Sequence, residues 1–211
     1  MYNGAAIGGA RRMLIATGNT GKVAEYRILL SSWSDDLVGL GDLGITATVE
    51  ENGSTFAENA LLKARFYSSV AGQVVLADDS GLEVDALGGR PGIRSARYGG
   101  PEATDEDRYL RLLAEMEGIP ADQRGARFRC AIAVAWPDGH SALTTGTCEG
   151  EIALEPRGSN GFGYDPVFLI TSLGFTMAEL PPETKNAISH RARAALAMLR
   201  LLRAHSASRG R

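Results

Sequence analysis

Residues 74–81 read Val74-Val75-Leu76-Ala77-Asp78-Asp79-Ser80-Gly81, an apolar run that meets two adjacent carboxylates, a hydroxyl and a glycine. The apolar, β-branched part predicts a buried strand over residues 74–77 that ends at the two acids. In open α/β sheets ligands bind at the carboxyl ends of strands, so acids placed there favour a metal held against phosphates. Strand side chains alternate between faces, so only one of Asp78 and Asp79 is expected to face the ligand. These residues alone favour the alternative of a solvated turn, because Asp, Ser and Gly are common turn formers.

A second glycine-containing stretch lies upstream, where the apolar residues 13–16 lead into Thr17-Gly18-Asn19-Thr20-Gly21-Lys22 and then into a helical pattern. Backbone N–H groups at a helix start point outward, and Lys22 adds a full charge, so strand, loop and helix together could cradle a polyphosphate. The loop is not a Walker A motif, because Ala16 and Val23 stand where that motif needs Gly and Ser or Thr. An ordinary βα turn and a phosphate loop are about equally supported by this stretch.

Composition limits the possible functions. The 211 residues are 44% hydrophobic and 22% charged, which is typical of one globular domain. We predict that this domain spans residues 13–203, with residues 1–12 a flexible extension and residues 204–211 a disordered tail. The formal net charge of -3 argues against a nucleic-acid-binding protein, whereas free nucleotides stay possible.

The termini and cysteines predict a soluble, cytoplasmic protein. Residues 1–12 lack the apolar core of a signal peptide, and no later window approaches the roughly 18 apolar residues of a membrane span. Cys130 and Cys148 form no CxxC pair, so we expect reduced cysteines that pack in the core. A long hairpin is predicted over residues 126–149, with the two cysteines roughly opposite and His140 exposed beside the turn.

Helix signals are clear in three places. Thr55 and Glu58 predict a capping box for a helix that runs to about Ala71 and stops at Gly72. Thr104 and Asp107 predict a second cap. A third helix follows Ser189, with a predicted buried stripe of Ala192, Ala195, Leu196, Leu199 and Leu202.

Three groups of polar and aromatic residues have weaker signals. Asn59 and Lys63 share a helix face. Glu50 and Glu51 precede that helix. For both pairs, solvated surface positions are more common than ligand contacts. The stretch Gly158–Phe168 interleaves glycines with aromatics, which could stack a nucleobase or plug the core. Cations near the start of the last helix, where the helix dipole disfavours them, would be explained by an anionic or carbonyl-bearing ligand; they are Lys185, His190 and Arg191.

Taken in chain order, five segments carry a specific resemblance. They are ATGNTGKVAEYR (16–27), TFAENALLKAR (55–65), ADDSGLEVDALGGRPGIRSARYGG (77–100), GFGYDPVF (161–168) and KNAISHRARA (185–194). Together they resemble the inosine/xanthosine triphosphate pyrophosphatase family. The resemblance implies an α/β fold with a long central mixed sheet, flanking helices and two lobes around a nucleotide cleft. It also implies a homodimer and Mg²⁺ dependence.

The same resemblance implies roles for individual residues. Asp79 would be the proton acceptor and a metal ligand, Asp78 its essential support, and Lys63 a further catalytic group near the triphosphate. Glu50 would be the other metal ligand, although Glu51 beside it leaves that alignment open by one residue. The implied substrate-binding residues are Thr17, Gly18, Asn19, Thr20, Gly21, Lys22, Ser80, Phe162, Gly163, Tyr164, Asp165, Lys185, His190 and Arg191.

The implied activity is hydrolysis of noncanonical purine nucleoside triphosphates (ITP, dITP, XTP) to the monophosphate and pyrophosphate. Such an enzyme cleanses the nucleotide pool and prevents incorporation of these bases into DNA and RNA. A nucleotide-binding regulator and a phosphotransferase are the alternatives, which the presence of Asp79 and Lys63 and the absence of a Walker A loop disfavour. The related septum-associated pyrophosphatases prefer pyrimidines, and the intact GFGYD and Ser189-His190-Arg191 segments favour purines instead.

Overall fold

A computed structural model of the chain describes residues 12–34 and 36–209. Seven strands form one mixed sheet in the order β2-β1-β3-β4-β5-β6-β7, in which β1 runs parallel to β2 and β3, and the pairs from β3 to β7 are antiparallel. The strands are β1 (Met13–Ile15), β2 (Leu37–Gly39), β3 (Val75–Val84), β4 (Gly125–Ala135), β5 (Ser141–Ile152), β6 (Phe168–Ile170) and β7 (Phe175–Thr176). The predicted mixed sheet with flanking helices is therefore confirmed, whereas the division into two lobes stays a prediction.

Within the described residues, five α-helices flank the sheet: α1 (Thr20–Leu29), α2 (Phe56–Ala71), α3 (Asp105–Glu115), α4 (Pro182–Ile188) and α5 (His190–Arg209). Helix α2 buries Phe56, Ala60 and Ala64 against one face of the sheet. Helices α1 and α5 bury their apolar residues against the other face, where Tyr26 and Met198 are fully enclosed. The central strands are thus covered on both faces. Among the described residues, no helix combines the length and apolar character needed to cross a membrane.

Strand β3 differs from its predicted extent. We expected a strand over residues 74–77 that ends at the two acids, but β3 continues through them to Val84. Antiparallel pairing with β4 explains the extension, because Asp78 pairs with Ile132, Asp79 with Ala131 and Val84 with Ala126. Partner pairing thus overrides the turn preference of Asp, Ser and Gly. The two carboxylates lie in the middle of a strand and not at its carboxyl end.

The hairpin of β4 and β5 is confirmed, but the expected cysteine alignment is wrong. Cys130 pairs with Gly146, and Cys148 pairs with Phe128, so the cysteines are two positions out of register. Both are free and buried, as expected for reduced packing cysteines. His140 is exposed beside the turn, with 72% of its side-chain surface accessible.

The predicted helix caps are largely confirmed. Thr55 accepts a hydrogen bond from the Glu58 N–H and Gly72 ends α2 in the left-handed conformation, but the Glu58 carboxylate accepts from Ser54 and not from Thr55. Thr104 and Asp107 form a complete capping box on α3.

The C-terminal helix departs from its predicted stripe at one position. Ala192, Ala195, Leu199 and Leu202 are buried, whereas Leu196 is 53% exposed. The hydroxyl of Ser189 accepts from the Ala192 N–H, which supports the predicted cap. Helix α5 continues to Arg209, into the stretch predicted as a disordered tail. Of the predicted extension, residues 1–11 lie outside the described residues, and Arg12 forms an ion pair with Asp36. The domain limits stay a prediction.

Candidate active site

A cavity of about 260 Å³ lies beside the middle of β3. Its walls come from the loop before α1, from α2, from the segments 92–97 and 162–165, and from the start of α5. The lining residues are Thr17, Asn19, Lys22, Glu51, Lys63, Asp79, Ser80, Gly81, Ser95, Ala96, Asp105, Arg108, Phe128, Phe162, Gly163, Tyr164, Asp165, Lys185, His190 and Arg191. The cavity therefore brings together residues from all five of the sequence segments that carry the resemblance.

Asp79 lies on the α2 side of the sheet and is 6% exposed. Its Oδ2 accepts a hydrogen bond of 3.0 Å from Asn59 Nδ2, and its Oδ1 lies 3.9 Å from Lys63 Nζ. The same ammonium lies 3.2 Å from Glu51 Oε1. Burial raises the pKa of Asp79 above its ordinary value, and Lys63 and Asn59 only partly oppose that rise. A carboxylate so placed is a better proton acceptor at neutral pH than an exposed aspartate.

Asp78 lies on the opposite face of the sheet, where it contacts two cations. Lys22 Nζ is 2.9 Å and Arg191 Nη2 is 3.6 Å from Asp78 Oδ2, and the Asp78 side chain is fully buried. Burial by itself would raise the pKa of Asp78, but the two cations outweigh it and hold the pKa well below its usual value. Asp78 does not line the cavity, so the alternation of strand side chains separates the two acids as predicted.

The loop before α1 contributes side chains and a helix start. Thr17, Asn19 and Lys22 line the cavity, and Asn19 Oδ1 also accepts the Lys22 N–H at 3.0 Å, which caps α1. Of the other predicted residues in this loop, Gly18, Thr20 and Gly21 do not line the cavity. Gly21 still has a steric role, because a Cβ there would lie 2.7 Å from the Phe162 ring.

The segment 162–165 forms the wall next to that loop. The half-buried Phe162 ring has Lys185 Nζ at 4.5 Å and the Arg191 guanidinium carbon at 5.5 Å from its centroid. Asp165 accepts hydrogen bonds from Phe162 N and from the Lys185 ammonium, so it holds this corner together. The Tyr164 hydroxyl donates to the Ser95 carbonyl at 2.9 Å. The polar groups of Tyr164 and Asp165 thus have protein partners, and Phe162 is the aromatic side chain that this segment presents to the cavity without such a hydrogen bond.

The start of α5 supplies His190 and Arg191, both nearly fully buried. His190 stacks on Phe128 with ring centroids 4.7 Å apart. Burial, and then the charges of Arg191 and Lys185, hold the pKa of His190 well below its ordinary 6.5, so its imidazole is neutral at neutral pH. Arg191 donates to Ser80 Oγ at 3.0 Å and to Glu25 Oε2 at 2.6 Å.

Some polar atoms at the cavity have no protein partner. His190 Nδ1, Arg191 Nε and Arg108 Nε are buried and have no hydrogen-bond partner within the described part of the chain. Buried polar atoms without partners are rare in native proteins. Their presence in residues that line one cavity is expected where a polar ligand completes the hydrogen bonding.

The structure distinguishes the two candidate glutamates. Glu51 is half-buried and lines the cavity beside Lys63, whereas Glu50 is exposed and does not line it. The described residues contain no group of three or more His, Cys, Asp or Glu side chains that could by themselves hold a metal ion. Of the carboxylates that line the cavity, Asp79 and Glu51 are the two that share a contact with Lys63.

Several residues of the site had no predicted role. Glu25 on α1 joins Lys185 and Arg191, at 2.9 Å and 2.6 Å, and lies in the segment 16–27 without a predicted role of its own. Asp105 accepts from Gly163 N at 2.7 Å and pairs with Arg108, on a helix for which only the N-terminal cap was predicted. No spacing in the sequence connects Glu25 with Lys185 and Arg191, or Asp105 with Gly163, because these partners lie far apart in the chain. Four further residues that had no predicted role line the cavity: Gly81, Ser95, Ala96 and Phe128.

Known proteins resemble this chain over most of its length. The Ham1 family model matches residues 13–201. A dITP/XTP pyrophosphatase of Geobacillus kaustophilus is 52% identical over 184 residues, which are 87% of this chain and 90% of the relative. A dITP/XTP pyrophosphatase of Bacillus subtilis is 46% identical over 92% of this chain and 98% of the relative. The solved Ham1 protein of Staphylococcus aureus is 40% identical with a TM-score of 0.80, over 92% of this chain and 99% of that one. The chain therefore belongs to the Ham1 family.

Proposed function

We propose that this chain hydrolyses noncanonical purine nucleoside triphosphates to the nucleoside monophosphate and pyrophosphate. The observation that carries the proposal is that two sets of residues line one cavity. The first set is Asp79 and Lys63 with Asn19 and Lys22, and the second is Phe162, Lys185 and His190. The first set suits a triphosphate and its hydrolysis, and the second suits a purine base. The relatives described above, at 46% and 52% identity, are named dITP/XTP pyrophosphatases.

The carboxylates fit a divalent cation, and we propose Mg²⁺. Asp79 and Glu51 both approach the same ammonium, Lys63 Nζ, at 3.9 Å and 3.2 Å, so their oxygens lie near one point. Mg²⁺ usually takes one or two carboxylates and completes its shell with water and substrate phosphates, which matches the pair of Asp79 and Glu51. When bound, Mg²⁺ would neutralise phosphate charge and orient the reacting groups.

The cations of the site also favour a metal-bound substrate. Lys22, Lys63, Lys185 and Arg191 each lie within 4 Å of at least one carboxylate. The site is therefore close to electrically balanced before a ligand enters. A triphosphate adds several negative charges, so binding it with its own cation preserves that balance.

The chain's residues suggest how the reaction proceeds. Asp79, with its raised pKa, accepts a proton from water as the water oxygen attacks the α-phosphorus. The bond between the α-phosphorus and the bridging oxygen breaks, and pyrophosphate leaves with the bonding electrons. Lys22 and Lys63 stabilise the charge that builds on the leaving group. Asn59 and the Ser80 N–H fix the orientation of the Asp79 carboxylate.

Base selection follows from hydrogen-bond donors. Hypoxanthine and xanthine carry a carbonyl acceptor at position six, where adenine carries an amine donor. Arg191 and Lys185 can only donate, and the neutral His190 offers one N–H, so an adenine amine would leave donors unpaired. Guanine shares the carbonyl and is not rejected by this contact. We infer preference for ITP, dITP and XTP over ATP.

The first test is product analysis with four triphosphates. With Mg²⁺ present, inosine and xanthosine triphosphates should release pyrophosphate much faster than ATP, with guanosine triphosphate included for comparison. Asp79→Asn should lower kcat by about 10²–10⁴-fold, because the proton acceptor is lost. Asp122→Asn, at an exposed aspartate outside the cavity, is the control and should match the wild type.

Either of two results would refute this function. Release of inorganic phosphate would mean that a different bond is broken. Binding of inosine triphosphate without turnover would favour the nucleotide-binding regulator.

We further propose that the enzyme acts in the cytoplasm as a homodimer and keeps these bases out of DNA and RNA.

A further inference from the structure

Asn59 joins two parts of the site. Its side chain is 0% exposed, on the face of α2 that packs against β3. One end of its amide donates to Asp79 Oδ2 at 3.0 Å, and the other accepts the Gly53 N–H at 2.8 Å. Gly53 is two residues from Glu51, the second acid of the cavity. A single buried side chain thus spans the acidic segment before α2 and the acid on β3.

The chemistry of both partners fixes the orientation of the amide. A backbone N–H can only donate and an ionised carboxylate can only accept, so the Asn59 oxygen must face Gly53 and its nitrogen must face Asp79. Among similar side chains, aspartate would present an acceptor to a carboxylate, and leucine would remove the acceptor of the half-buried Gly53 N–H. Asparagine satisfies both partners at once.

Steric fit at Gly53 supports the same role. A Cβ on Gly53 would lie 2.7 Å from Asn59 Oδ1 and 2.8 Å from Glu58 Cβ. The absence of a side chain therefore lets the acidic segment come close enough to hydrogen-bond with Asn59. Lys63, one helical turn further along α2, spans the same two elements through its contacts with Glu51 and Asp79.

We propose that Asn59 is a positioning residue, which fixes the distance between Glu51 and Asp79 so that the two acids bind one metal–triphosphate complex together. This inference rests on the proposed function. Asn59 does not line the cavity and acts through its two partners. Groups that orient metal ligands typically change metal affinity by about 10–100-fold when they are replaced.

The test separates binding from turnover. The ligand is the α,β-methylene analogue of inosine triphosphate, which lacks the cleavable oxygen bridge, and calorimetry measures its affinity with Mg²⁺ and with EDTA. Asn59→Asp keeps the acceptor for Gly53 but loses the donor to Asp79. The Mg²⁺-dependent gain is the ratio of the affinity measured with Mg²⁺ to the affinity measured with EDTA. We expect this gain to fall at least about tenfold in the variant. The affinity in EDTA should change less than about twofold.

Gly53→Ala tests the other hydrogen bond. It should lower the Mg²⁺-dependent gain similarly, and the double variant should be no worse than the worse single variant, because both changes break one connection. Ser68→Ala is the matched control. Ser68 is a buried polar residue of the same helix that bonds Gln73 O outside the cavity, so its loss affects stability without affecting the Mg²⁺-dependent gain.

Two results would overturn the inference. An unchanged Mg²⁺-dependent gain in folded Asn59→Asp would do so, and so would additive losses in the double variant. If Asn59→Asp does not fold, Gly53→Ala decides the question alone by the same measurement. If the wild type binds the analogue with Mg²⁺ but yields no pyrophosphate from inosine triphosphate, the proposed function is contradicted. The binding measurements still test the positioning role of Asn59, because they do not depend on turnover.

Discussion

Asp78 and Asp79 are neighbours in the chain but have opposite electrostatic environments. Asp78 faces Lys22 and Arg191, and its pKa is held low, whereas Asp79 faces a partly buried cavity, and its pKa is raised. The difference arises because consecutive strand residues point to opposite faces of the sheet. One peptide unit thus separates an acid that holds cations in place from an acid suited to accept a proton.

The low pKa of His190 predicts a pH dependence of stability. At pH values below 6.5 but above the lowered pKa of the folded state, the unfolded chain binds a proton at His190 and the folded chain does not. The free energy of unfolding therefore falls as the pH falls below 6.5. The slope from this residue approaches about 1.4 kcal/mol per pH unit. Urea unfolding of the wild type and of His190→Gln between pH 5 and about 7 should show a shallower slope in the variant.

His140→Gln is the control for that measurement. His140 is exposed, so its replacement should leave the wild-type slope intact. Comparing variants also removes the contribution of the carboxylates, which titrate in all three proteins. Equal slopes in the wild type and His190→Gln would contradict a buried neutral imidazole at this position.

The two adjacent glutamates offer a matched pair of substitutions. Glu51 lies beside Lys63 in the cavity and Glu50 lies outside it. Glu51→Gln should raise the Mg²⁺ concentration for half-maximal pyrophosphate release by about tenfold or more, because a charged oxygen ligand is lost. Glu50→Gln should leave that concentration unchanged. The reverse pattern would assign the metal to Glu50.

At the scale of elements, local signals predicted the helices better than the strands. The Thr55 and Thr104 caps and the Gly72 stop are encoded within a few residues, and the structure confirms these positions. The end of β3 and the register of β4 with β5 depend on partners far away in the chain. The turn-forming residues at positions 78–81 therefore predicted that the strand ends there, whereas pairing with β4 extends it to Val84.

The contact between α5 and β5 predicts a sensitive glycine. A Cβ on Gly146 would clash with the main-chain oxygen of His190 and lie 2.6 Å from Ala194 N. Gly146→Ala should lower the free energy of unfolding by about 1–3 kcal/mol through overpacking, and it should raise KM for inosine triphosphate, because residues 190–191 move. Urea midpoints and steady-state kinetics measure the two effects.

Gly41→Ala is the matched control, because Gly41 has no atoms near the position of a Cβ. Its urea midpoint and its KM should stay at the wild-type values. If Gly146→Ala behaves in the same way as Gly41→Ala, the close approach of α5 to β5 has no energetic importance.

At the scale of the whole molecule, the sequence identified most of the site but not its assembly. The family resemblance placed Lys63, Asp79, Phe162 and His190 in one site, and the cavity contains all four. Glu25 was missed because its partners, Lys185 and Arg191, lie more than half the chain away. Ion pairs between such distant residues have no periodicity or spacing that a single sequence could reveal.

The proposed homodimer predicts a measurable mass. One chain is 22.3 kDa, so sedimentation equilibrium at micromolar concentration should give about twice that mass. Large apolar side chains such as Leu154 and Phe175 are exposed on the single chain, which is compatible with an interface between copies. A single species at the mass of one chain would exclude the homodimer.

The close approach at Gly146 has a consequence for protein engineering. Main-chain atoms of α5 lie where a side chain on β5 would otherwise be, so backbone contact sets the depth of residues 190–191 in the molecule. Replacing the His190 side chain would then alter the shape and polarity of the proposed base pocket on a backbone that stays in place. Libraries varied at position 190, with Gly146 retained, are a direct route to enzymes that select other nucleobases.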